Sequence, residues 1–208
     1  MAIPVTLCGL VTEHQVADCD KKPEAGVEKR IYVINRDHWR KAAIVRDATN
    51  PKIIKSITLP VVATVQTYAY AYIGLPKSVG NKATFARQTF NSGWSHECPY
   101  MIFRNDPSTK VEIDKLPEGQ YVIVVENEFQ GEDGDHAFEV LGEKHGLELA
   151  KCDRDANNND NGGAWDALFK TPDGKTEKVP STFQTFTSPS TAYNYADSLA
   201  ALDALLAP

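Results

Sequence analysis

Near the middle of the chain stand four consecutive apolar β formers, Val122-Ile-Val-Val125, inside the run Gln120-Tyr-Val-Ile-Val-Val-Glu126. Successive side chains of a strand point to opposite sides, so this segment needs cover on both faces. It belongs at the centre of a sheet with one layer above and another below. Shorter runs carry the same signature: Arg30-Ile-Tyr-Val-Ile34, Lys52 to Leu59, Ala83 to Phe90 and Tyr100 to Arg104. Asn35 to Trp39, Gly80-Asn81 and Leu116 to Gly119 read as turns between them. Ala137 to Leu141 and Gly146 to Ala150 read as a strand pair linked through Gly142. Ala164 to Lys170 and Thr176 to Val179 flank Pro172-Asp-Gly174, a turn signature.

Val61 to Ile73 reads as one long extended segment. Thr64, Gln66, Tyr68, Tyr70 and Tyr72 share one face, and Val65, Thr67, Ala69, Ala71 and Ile73 the other. A row of tyrosines suits packing on something large. The last segment is different. Ser188 or Ser190 can cap a helix whose apolar side holds Leu199, Leu202 and Leu206. That stripe docks either on the β body or on a neighbour. The order of elements predicts a mainly β fold, a β barrel or sandwich with long loops and one C-terminal helix. Residues 1–208 read as a single domain, with 1–28 as an N-terminal arm and 188–207 as the flanking helix.

A chain of 208 residues buries a sizeable core without disulfides or metals. Its 42% apolar and 24% charged content is that of a globular protein and speaks against wholesale disorder. No run approaches a membrane span, and residues 1–10 lack a basic signal-peptide region. Residence in a cytoplasm is the expectation. The four cysteines, Cys8, Cys19, Cys98 and Cys152, form no C-x-x-C pair and read as reduced, partly buried thiols, because a cytosol keeps thiols reduced; a Cys8–Cys19 disulfide is geometrically possible but has no support in the sequence.

Charge is divided along the chain. Residues 1–104 hold 14 Lys and Arg against 8 Asp and Glu, and residues 105–208 hold 8 against 20. Acids concentrate between Glu126 and Asp160, among them Glu128, Glu132, Asp133, Asp135, Asp153 and Asp155. One reading is a solvated loop region. The other is a pair of complementary faces on a subunit that stacks head to tail. Acidity also opposes tight nucleic-acid binding, which needs phosphate neutralisation.

Motifs for chemistry are weak. Gly74 to Lys82 has the wrong spacing for a phosphate loop, with Asn81 where Lys belongs. His96-Glu-Cys-Pro99 lacks the second half of a zinc-deaminase site and reads as a turn closed by Pro99. Asp153 to Ala164 begins like a calcium loop, but Asn158 replaces the turn glycine and Ala164 the bidentate Glu. A calcium site of another type in 153–160 stays open. The histidines at 14, 38, 96, 136 and 145 show no metal-ligand spacing. No catalytic, cofactor-binding or metal-binding residue is predicted, and no enzyme.

Two stretches carry a resemblance. Cys19-Asp-Lys-Lys-Pro-Glu-Ala-Gly26-Val-Glu-Lys-Arg-Ile-Tyr-Val-Ile-Asn35 resembles the opening of virion proteins from phages of Bacteroidetes-type hosts. Val124-Val-Glu-Asn127, Phe138-Glu-Val-Leu-Gly142, Gly146-Leu-Glu-Leu149 and Gly162 to Thr171 resemble their back half, in the same order. Lys21 to Ala25 departs from the pattern, where the family more often has Gly directly before its Gly-Val. These proteins are similar to tail-tube or tail-ring subunits of tailed bacteriophages. The resemblance implies a β barrel or sandwich with a flanking helix, assembled as a ring or tube around the DNA channel. It implies no catalytic residues. The partners it implies are copies of the chain and neighbouring virion proteins, with DNA passing nearby, no membrane, and a place in the virion after assembly in host cytoplasm. On this reading Tyr68, Tyr70, Tyr72, Leu199, Leu202 and Leu206 are candidate subunit-interface residues, and the seven acids Glu126, Glu128, Glu132, Asp133, Asp135, Asp153 and Asp155 line the channel or the ring contact. The alternative is a capsid decoration or carbohydrate-binding β module, with the tyrosines and Trp94 as a stacking platform.

Overall fold

The computed structural model describes residues 26–87, 92–128, 130, 134, 137–186 and 192–207. Its strands are β1 (Val27–Asn35), β2 (Ala43–Arg46), β3 (Ile53–Thr58), β4 (Val61–Val62), β5 (Val65–Gln66), β6 (Tyr70–Ile73), β7 (Lys82–Ala86), β8 (Gly93–Ile102), β9 (Tyr121–Asn127), β10 (Phe138–Leu141), β11 (Glu148–Arg154), β12 (Trp165–Lys170) and β13 (Ser181–Phe183). Its helices are α1 (Arg36–Lys41), α2 (Pro107–Lys115) and α3 (Tyr195–Asp203).

The apolar run Val122–Val125 lies in β9, which is buried from Tyr121 to Glu126. It lies in a seven-stranded sheet of order β2-β3-β13-β10-β9-β1-β6. Ile123 and Val125 point with Ile31, Val33 and Leu141 toward Cys98, Tyr100, Ala167 and Phe169 of a second sheet, β11-β12-β8-β7. Val122 and Val124 point the other way, with Tyr32, Ile34, Phe138, Val140 and Phe183, onto Leu202 of α3 and Trp39 of α1. The molecule therefore has three layers, with the large sheet between a smaller sheet and a helical cover. That arrangement is why β1 and β9 are apolar on both faces. The fold is mainly β and of sandwich type; no barrel closes among the described residues.

Several local expectations change. Asn35 to Trp39 is not a turn, because α1 starts at Arg36 and buries Trp39. The long extended segment 61–73 is broken at Ala63 and Thr64, whose φ angles are 47° and 69°, so that β4 and β5 fold into a hairpin. Gly80-Asn81 and His96 to Pro99 are not turns either. The Gly80 N–H donates to the Pro99 carbonyl at 2.9 Å, and His96 to Pro99 lie within β8. A Cβ on Gly80 would sit 2.7 Å from the Pro99 ring, so glycine makes this pairing feasible. β10 and β11 lie in different sheets and are not a pair. Glu177 makes an isolated bridge to Trp94, and no strand forms at Thr176 to Val179.

α2 was not foreseen. Asp106 caps it, accepting from the Thr109 N–H at 2.9 Å, and Pro107 occupies its first turn. α3 is capped by Asn194, which accepts from the Asp197 N–H at 2.8 Å. The predicted caps Ser188 and Ser190 lie outside the described residues.

Candidate functional site

Among the described residues β6 pairs only with β1, so its other edge carries backbone groups with no strand partner there. Along it Tyr70 is 49% exposed and Ile73 57%, and Leu75 just beyond is 54% exposed. The β4–β5 hairpin just before it belongs to neither large sheet. It presents Val61 at 62% and Val65 at 65% exposure, with Val62 beside them. A two-stranded ribbon is marginal alone in water, and this one leaves its valines exposed. The Thr67 hydroxyl and N–H both donate to the Pro60 carbonyl, at 2.6 and 3.2 Å, and tie the base of the hairpin.

The predicted interface residues do not form one row. Tyr68 is half-buried and precedes β6. Tyr72 is half-buried against Tyr100, ring centroids 5.8 Å apart, and burial pushes its hydroxyl up to about 12. Leu202 is fully buried in the chain's own core, and Leu199 and Leu206 pack on the same cluster. The leucine stripe thus docks in cis and is not an exposed interface. Asp203 fixes the helix end by accepting from the Tyr32 hydroxyl at 2.8 Å and pairing with Arg30 at 3.0 Å. Of the six candidates, Tyr70 alone is exposed.

The acids also divide. Glu126 is only 6% exposed and accepts from the Tyr195 hydroxyl at 2.5 Å, so it lines no channel. Burial raises its carboxyl above the ordinary range. Glu128, Asp153 and Asp155 are exposed. Glu132, Asp133 and Asp135 lie outside the described residues. In the loop after β11, Asp155 accepts from the Asn157 N–H and Asn158 from the Asp160 N–H, both at 2.9 Å. Among the described residues no cluster of His, Cys, Asp and Glu is arranged to hold a metal.

A cleft of about 600 Å³ opens between the β2–β3 end of the large sheet and the start of β8. It is lined by His96, Glu177, Glu143 and four cations, Arg46, Lys52, Lys144 and Lys178. His96 is engaged on both ring nitrogens. Nδ1 accepts from the Gly142 N–H at 3.1 Å, which leaves Nε2–H to donate to the Lys178 carbonyl at 2.9 Å. Burial lowers its pKa and keeps the ring neutral. Glu177 accepts from the N–H groups of Lys144 at 2.9 Å and His145 at 2.6 Å. Both side chains hold the Gly142–Gly146 turn rather than point at a substrate. Arg46 pairs with Glu143, and the Lys52 ammonium donates to the Val179 carbonyl.

Comparison of the chain with protein-family models, with curated proteins and with solved structures finds no match. Among the described residues no helix is long and apolar enough to cross a membrane. Sequence reasoning missed the valine hairpin and the basic cleft. Ala63-Thr64 carries no turn signal, and the four cations, spread from Arg46 to Lys178 in the sequence, meet only in the folded chain. Cys98 is buried and Cys152 half-buried, both free; Cys8 and Cys19 lie outside the described residues.

Proposed function

We propose that the chain is a structural subunit that tiles with copies of itself into a ring or tube, of the kind found in the tail tube, tail hub or head-to-tail connector ring of a phage virion. The observation that carries the reading is the set of exposed apolar side chains between Val61 and Leu75, on a sheet edge that has no strand partner among the described residues and on a hairpin that belongs to neither sheet. Such an edge is a liability for a solitary monomer and an asset for a tile, because a neighbour supplies both strand pairing and apolar cover. The satisfied state of His96 and Glu177 supports a role without turnover. A sugar-binding platform draws no support from the aromatics. Tyr72 packs on Tyr100 and Trp94 on Phe85, and Tyr72 and Trp94 belong to different sheets.

Electron microscopy and sedimentation of the purified full chain test this. Wild type is expected to form rings or tubes with rising concentration. Val61→Asp with Val65→Asp is expected to keep the circular dichroism of wild type and lose assembly. A wild-type chain that stays monomeric at every concentration overturns the proposal.

A further inference from the structure

We infer that the basic cleft lined by Lys52, Lys144 and Lys178 receives the carboxylates of the 153–160 loop from a second copy, so that subunits stack head to tail along the strands of the smaller sheet. The inference rests on the tiling reading and names one of its contacts.

The register of the smaller sheet sets the two surfaces apart. At one end Lys170 lies opposite Glu148 and Glu97, and the Thr171 N–H donates to the His96 carbonyl at 2.9 Å. That end adjoins the cleft. At the other end Trp165 lies opposite Arg154 and Ile102, and there β11 and β12 are joined by the acidic loop. The seven residues of β11 span about 20 Å at a strand's rise per residue. One subunit therefore holds its basic cleft and its acidic loop at opposite ends, and they meet only between copies. A heterologous contact of this kind repeats itself along a line.

The cleft's charge is left over after its internal pairing. Glu177 is held by two backbone N–H groups and Glu143 by Arg46. Lys52, Lys144 and Lys178 form no ion pair among the described residues. On the opposite end Asp153 keeps 74% of its side chain exposed, with Lys151 no nearer than 3.7 Å, and Asp155 and Asp160 are exposed too. At about 600 Å³ the cleft has room for carboxylate side chains. Lys52 donates only to a neutral carbonyl, and burial lowers its pKa, so an incoming carboxylate gains a partly desolvated partner.

Two charge-reversed variants test the contact, Lys144→Glu with Lys178→Glu and Asp153→Lys with Asp155→Lys. All four positions are exposed, and circular dichroism checks that each variant folds as wild type. Each variant alone is expected to self-associate about tenfold more weakly in analytical ultracentrifugation at low salt. An equimolar mixture is expected to regain wild-type assembly, because every contact between unlike copies is again one of opposite charges. Variants that assemble as wild type, or a mixture no better than its parts, overturn the stacking contact and leave the tiling reading standing. Wild-type protein that never assembles overturns both.

Discussion

His96 is 2% exposed, and its two ring nitrogens serve the backbone of two loops, at Gly142 and Lys178. Replacing it with Leu leaves a buried N–H and a carbonyl unpaired. His96→Leu is therefore expected to lower the unfolding free energy by about 2–5 kcal/mol, measured by urea denaturation at pH 8. The buried ring also sets a pH dependence. Its pKa is lower folded than unfolded, so its contribution is fully present above the ordinary value of 6.5 and is lost as pH falls below it. Glu126 acts with the opposite sign. Burial raises its pKa, so its contribution is complete below the ordinary value of 4.5 and is lost as pH rises through the folded value. Glutamine keeps an acceptor for the Tyr195 hydroxyl without the charge. Urea midpoints are expected to show Glu126→Gln more stable than wild type at pH 8, with the advantage gone at pH 4.

The β4–β5 hairpin turns through Ala63 and Thr64 at positive φ, a conformation that Asn-Gly adopts with less strain. Ala63→Asn with Thr64→Gly is expected to stabilise the hairpin by about 0.5–1 kcal/mol, seen as slower amide exchange at Val62 and Val65. The same turn shows where reading the chain stops. Period-two alternation continues smoothly from Val61 to Ile73, and nothing in Ala63-Thr64 announces a reversal. Strands β1, β3, β9 and β12 were legible because apolar β formers crowd there. The start of α2 is legible too, since Asp106-Pro107 is a helix-capping pair. The pairing of strands was not legible. The Gly142–Gly146 turn passes the chain from one sheet to the other, and no local residue says so. Tertiary packing likewise took Glu126 and the leucine stripe out of the predicted surface. A carboxylate opposite Tyr195, and leucines beside a sheet face already rich in valine and phenylalanine, are drawn inward by burial of their neighbours.

At the scale of the whole molecule, β1 and β9 give alternate residues to two cores on opposite faces of one sheet. Because the two cores share these strands, unfolding is expected to be one cooperative transition. Coincident curves from tryptophan fluorescence and far-ultraviolet circular dichroism check this, since Trp39 lies in one core and Trp94 and Trp165 flank the other sheet. Separate midpoints would contradict it. The place of β13 sets a schedule for the birth of the protein. Residues 181–183 slot between β3 and β10, so the early β2–β3 pair has no sheet to join until this late segment emerges from the ribosome. Until then the growing polypeptide holds two unmatched borders. Cells making it in quantity must either shield that half-built sheet or finish each molecule quickly.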